Sequence, residues 1–155
     1  MILFRSIAAV ILLLPAVGLA EDKCPWLNPA TAGGVLGGEV SAVSVTLSKK
    51  DGTGHCDFSR TNGRMSLRLF IDVEPLAGSY RSQCGSRSTP AHAIGNEAFA
   101  CSFEGKPGET AEQVIGRVRN QTFLVRFTTS DPAIPAAEIR EKARKVAEQV
   151  AGILF

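Results

Sequence analysis

The chain of 155 residues reads as an α+β fold, an antiparallel sheet of about six strands covered on one face by helices. Three observations carry this reading. Apolar and polar residues alternate with period two in stretches joined by short turn signals, as in hairpin-linked strands with one buried face. Residues 135–155 instead repeat their apolar positions at steps of four and three, Ile139, Ala143, Val146, Val150 and Ile153, with Glu138, Arg140, Glu141, Lys142, Arg144, Lys145 and Glu148 between them. That pattern is an amphipathic helix with one apolar stripe. About 18 such residues span roughly 27 Å, close to the roughly 23 Å of a seven-residue strand, so the helix is matched to lie across a sheet.

Residues 1–20 are expected to be an export signal. Arg5 gives a positive start, residues 7–17 an apolar run too short for a membrane span, and Gly18-Leu19-Ala20 a cleavage site before Glu21. Residues 21–155 then form a single α+β domain. Without Arg5, 16 basic side chains face 15 acidic ones, and so small a net charge excludes an electrostatic case for nucleic acid or a membrane surface. The four cysteines, Cys24, Cys56, Cys84 and Cys101, all lie in this domain, and 31, 27 and 16 residues separate them. An even count in an exported chain reads as two disulfides, and the spacings fit no Cys-x-x-Cys metal or redox motif.

In chain order, Asn28 caps a short helix that starts at Pro29 and ends at Gly37-Gly38. Val43, Val45 and Leu47 alternate in a first strand. Residues 55–61 and 64–73 form a hairpin about Asn62-Gly63, with Arg60 opposite Met65, Phe58 opposite Leu67 and Cys56 opposite Leu69 on the apolar face. Leu76, Tyr80 and Cys84 are four apart, which predicts a second short helix over residues 76–84. Residues 86–96 form a long loop. Glu97–Phe103 alternates as a fourth strand, and residues 114–119 and 122–129 form a second hairpin about Asn120-Gln121, pairing Val118 with Phe123, Gly116 with Val125 and Val114 with Phe127. Pro135 suits the first turn of the closing helix, with Ser130 or Asp131 as its cap.

These features resemble a family of small exported bacterial domains of unknown function, often lipoproteins, with a PsbP-like two-layer fold. The likeness rests on Cys24-Pro25-Trp26-Leu27 before a helix ending Val35-Leu36-Gly37, on Cys56-Asp57-Phe58, on residues 94–99 (Ile-Gly-Asn-Glu-Ala-Phe), and on Ala143 and Ala147 in the last helix. The chain departs from it by lacking a lipid-modified cysteine and by carrying Cys84 and Cys101. The resemblance implies that the cysteine before the first helix, Cys24, joins Cys56 on its strand, which leaves Cys84 for Cys101. It brings no catalytic residues.

The chemistry-bearing residues are few. His55 and Asp57 share one strand face, where a surface ion pair with Arg68 and packing on Phe70 compete with metal ligation. His92 in the long loop and Glu97 are a possible base and orienter for a small secreted hydrolase, but no nucleophile motif accompanies them. Trp26 is placed as a core plug beneath the first helix, and Asn120-Gln121-Thr122 is a glycosylation sequon. Arg117, Arg119 and Arg126 cluster on the outer face of the second hairpin with Ile115 and Leu124. The binding residues expected from this are Ile115, Arg117, Leu124 and Arg126, facing an acidic or amphipathic partner unless a loop folds back over them.

The reading is therefore an exported, non-catalytic binding or interaction domain of the bacterial cell envelope, secreted or periplasmic, with the hydrolase as alternative. Its partner is an envelope or extracellular protein, peptide or small ligand; no cofactor, metal, nucleic acid or membrane span of the mature chain is expected. Peptide mapping of the non-reduced protein should yield Cys24 joined to Cys56 and Cys84 to Cys101, and a Cys24–Cys84 peptide would contradict the pairing.

Overall fold

The computed structural model describes residues 23–48 and 50–155, and the expected export signal lies outside them. The elements are α1 (Pro29–Leu36), β1 (Ala42–Ser48), β2 (Thr53–Asn62), β3 (Met65–Pro75), a 3-10 segment (Tyr80–Arg87), β4 (Thr89–Pro90), β5 (Glu97–Phe103), β6 (Thr110–Val118), β7 (Gln121–Thr129) and α2 (Ala136–Leu154). The strands make one antiparallel sheet in the order β1-β2-β3-β7-β6-β5-β4. The seventh strand beyond the expected six is β4, two residues of the long loop paired along β5.

α1 starts and stops as its sequence dictates. The Asn28 side chain accepts from the Thr31 N–H at 2.8 Å, Pro29 fills the first position, and Gly37 takes the left-handed conformation (φ 77°) that ends the helix. Its last carbonyls are claimed from outside: Lys142 Nζ donates to Val35 O at 2.8 Å and Arg60 Nη1 to Leu36 O at 3.1 Å. Two cations at a helix C-terminus also oppose its dipole.

Both hairpins keep the expected faces and change the expected partners by two residues. Asn62 pairs with Met65, Arg60 with Leu67, Phe58 with Leu69 and Cys56 with Ile71. The loop is Gly63-Arg64, with Gly63 at φ 62°, so the glycine occupies the first central position and Asn62 stays in the strand. In the second hairpin Val118 pairs with Gln121, Gly116 with Phe123 and Val114 with Val125, about a loop of Arg119-Asn120 with Arg119 at φ 52°. Neighbouring segments hold that tip: the Arg119 N–H donates to Asn96 Oδ1 at 2.7 Å, and the Leu76 N–H donates to Asn120 O at 2.8 Å. A slip of two preserves every side chain's face, because strand side chains alternate with period two.

The inner face carries the main core. Phe58, Leu69, Ile71, Val114, Val125 and Phe127 are fully buried there beneath α1 and α2, with Trp26 beside α1 as expected. α2 packs on β6 and β7, and α1 packs on β2 and β3, so the two helices divide the inner face between them. Gly116 has no side chain because a Cβ there would lie 2.5 Å from Phe123 Cζ.

The buried stripe of α2 is Ile139, Ala143, Val146, Ala147, Val150 and Ala151, while Ile153 is 50% exposed and Leu154 packs instead. A 3.5-residue pattern drifts around a 3.6-residue helix, which rotates the last turn away from Ile153. Burial of Ile139, Val146 and Val150 stabilises by about 1.5–3 kcal/mol each. The helix begins after Pro135, which is itself the cap residue. Ser130 and Asp131 do not cap it: Ser130 Oγ accepts from the Ser66 N–H and Asp131 Oδ1 from the Ala133 N–H, both at 2.9 Å.

Among the described residues, one charge lies inside the inner layer. Glu112 is 2% exposed. It accepts from Arg140 Nε at 2.9 Å and Nη2 at 3.0 Å, and from Ser102 Oγ at 2.8 Å, so α2 is bolted to β6 by a bidentate pair. Arg140→Leu should cost about 3 kcal/mol in urea unfolding, at the low end for a broken buried pair because the Arg140 side chain is half exposed. Adding Glu112→Leu should recover all but about 1 kcal/mol. A single-mutant loss as small as that of the double mutant would show that the pair does not hold the layers.

Candidate functional site

The outer face is not open along the second hairpin. Ile115 is 1% exposed and Leu124 7%, packed with Tyr80, Cys84, Cys101, Phe70 and Phe99 in a second apolar cluster. This corrects the expectation that Ile115 and Leu124 form an exposed contact strip. The cover is the 3-10 segment rather than the rest of the loop up to residue 96, and the short helix expected over residues 76–84 is this 3-10 helix, set at Tyr80–Arg87. Tyr80 and Cys84 turn inward, whereas Leu76 is 44% exposed and Gly85 breaks the segment at φ 60°.

Four of its residues hold this strap to the sheet. Cys84 is bonded to Cys101 on β5, and the other disulfide joins Cys24 to Cys56 on the opposite face. The Tyr80 hydroxyl and the Arg81 guanidinium donate to Glu97, the Arg81 guanidinium lies 5.0 Å over the Phe99 ring, and Gln113 Nε2 donates to Gln83 O at 2.9 Å. Arg81, then Tyr80, holds the Glu97 carboxyl below the usual carboxylate range. Its folded pKa is below its unfolded one, so the tie contributes stability above the ordinary carboxylate range and loses it as pH falls through the folded value.

Beside the strap the outer face opens into a groove of about 460 Å³ between β3, β7 and the loop after β5, a volume within the roughly 300–1,000 Å³ typical of ligand sites. Phe70 and Phe103 give it apolar walls, Arg68, Arg126 and Thr128 line it, and Lys106, Glu104 and Glu109 stand on the loop at its rim. Arg68 is spent on Asp57.

Arg126 is the unspent group. Its guanidinium lies 3.7 Å over the Phe103 ring, and its Nε donates to Gln113 Oε1 at 2.9 Å. Gln113 is itself fully buried and fixed through Gln83 O and Cys101 Sγ. Among the described residues Arg126 makes no ion pair, and Nε is its one nitrogen with a hydrogen-bond partner. Burial lowers its pKa from the ordinary guanidinium value, against the field of Asp72, whose own carboxyl burial and Glu74 push up. Arg126 remains charged.

Of the expected binding residues, then, only Arg126 lines the groove. Arg117 lies beyond it, opposite Glu97, and Arg119 is in the hairpin turn with Asn120. His55 packs against Phe70 with ring centroids 5.7 Å apart and tilted by 35°, and Asp57 takes Arg68. His92 is exposed in its loop, and the Glu97 carboxylate is occupied by Tyr80 and Arg81, so the two form no base and orienter. No group of three potential metal ligands occurs among the described residues, and no described helix is long and apolar enough to cross a membrane.

Phe103 and Gln113 were not singled out from sequence. Gln113 precedes the strand expected from residue 114, and it lies within β6, where it is buried. Comparison with known proteins gives no match to a family model, a curated protein or a solved structure.

Leu124→Glu should lower stability by about 3 kcal/mol or more, because it places a carboxylate beneath the strap without a partner. A chemical melt indistinguishable from that of the parent protein would mean that the strap lifts freely from the sheet.

Proposed function

We propose that this chain is an exported, non-catalytic binding domain of the bacterial cell envelope, and that its contact surface is the outer-face groove between Phe70, Phe103 and Arg126. The carrying observation is Arg126 itself: a half-buried cation oriented by Gln113 and Phe103, without a carboxylate of its own, on the wall of a groove of ligand size. A buried charge is expensive unless paired, so a fold that orients one towards a groove favours a ligand that completes it. The two disulfides fit an oxidising compartment, as the secreted or periplasmic reading requires. The hydrolase reading lacks support, since Glu97 is bound to the strap.

Peptides selected from a random display library against the oxidised protein, then mapped by backbone amide shifts, test this. Perturbation should centre on Phe70, Phe103 and Thr128, and Phe103→Ala should weaken binding about tenfold, as for a central aromatic contact, with the melting temperature nearly unchanged. Selected ligands that map instead to the cavity beside β1, between Pro29, Val43 and Phe58, would overturn the placement.

A further inference from the structure

The groove's chemistry specifies its ligand more narrowly. We infer that Arg126 recognises a carboxylate on an acidic, partly apolar peptide segment of a partner, and that Gln113 is its positioning residue. This rests on the reading of the groove as the contact surface.

The argument runs from the geometry of one guanidinium. Its face is taken by the Phe103 ring and its Nε by Gln113 Oε1, which leaves both terminal nitrogens without hydrogen-bond partners among the described residues, on a residue that lines the groove. A planar guanidinium so held presents its end to a two-oxygen acceptor, the geometry in which arginine binds carboxylate. The walls on either side are Phe70 and Phe103, so the groups flanking that carboxylate meet aromatic surface. Lys106 and Arg126 are the basic groups of the groove not paired with Asp57, against Glu104 and Glu109 on the rim loop. That near balance suits a segment with isolated acids among apolar residues and disfavours a polyanion.

Gln113 makes the recognition depend on the strap. Its amide nitrogen donates to Gln83 O and to Cys101 Sγ, so its oxygen is turned towards Arg126. Without that acceptor the guanidinium keeps its charge and loses its aim. Gln113 touches no ligand on this reading and acts through Arg126 alone.

The oxidised protein, labelled for observation of arginine Nε–H groups, is titrated with a capped peptide alternating glutamate and phenylalanine, with its glutamine counterpart, and with inorganic phosphate. The acidic peptide should shift the Arg126 Nε–H and bind at least tenfold tighter than its amide counterpart. Arg126→Gln should abolish that preference while leaving the amide peptide within about twofold, and Arg126→Lys should retain part of it. Gln113→Met should cut the preference several-fold with the amide peptide unaffected, a split that general loosening of the sheet would not produce.

Equal binding of the two peptides, with groove amides shifting for both, would overturn the carboxylate assignment and leave the groove standing as the contact surface. A phosphate response at Arg126 matching that of the acidic peptide would also overturn it, in favour of a simple anion site. If neither peptide shifts any groove amide, both readings are overturned.

Discussion

The centre of the sheet is covered on both faces, and the rest of the molecule is arranged around that fact. β6 is buried along nearly its whole length, because α2 lies on one side of it and the 3-10 strap on the other. A strand in that position has no solvent side on which to place its polar residues, so each polar residue it carries must find a partner within the protein. Glu112 finds Arg140 from the helix above, and Gln113 finds Gln83 from the strap below together with Arg126 from the neighbouring strand. The two disulfides follow the same division: one staples the segment before α1 to β2 on the inner face, and the other staples the strap to β5 on the outer face.

The groove is a consequence of where the strap stops. It covers Ile115 and Leu124 and ends short of Phe70, Phe103 and Arg126, so one edge of the second cluster stays open. Placing a cation at that edge costs desolvation, and the structure spreads the compensation over a ring face, an amide oxygen and the field of Asp72 rather than a direct carboxylate pair. A carboxylate partner inside the protein would have closed the ion pair and left nothing to offer a ligand. Gln113 ties the strap to Arg126, contacting the sulfur of Cys101 on one side and the guanidinium on the other.

Periodicity and capping are local properties, and what depends on them alone was legible in the sequence: the strand faces, the single stripe of α2, the limits of α1 between Asn28 and Gly37, and β5 to the residue. Even the two misplaced hairpin registers kept their faces, since a slip of two cannot move a side chain across a sheet. What failed lacked a local signal. Leu76, Tyr80 and Cys84 have helical spacing, but the bond from Cys84 to Cys101 and the bonds of Tyr80 and Arg81 to Glu97 draw that segment down onto the sheet as a 3-10 strap. Whether Ile115 and Leu124 are surface or core depends on that one docking event. The contacts that tie the closing helix to its surroundings span long stretches of chain, 107 residues from Lys142 to Val35 on α1 and 28 from Arg140 to Glu112 on the sheet. Arg126 was identifiable as outward-facing from alternation alone, but its stacking on Phe103 and its lack of a carboxylate arise only when three strands and a loop are brought together. The sequence by itself determined which side of each element is apolar, because that follows from residue spacing along one strand or helix; only the tertiary structure decided which apolar side is covered, and by what, because that depends on partners remote in the chain.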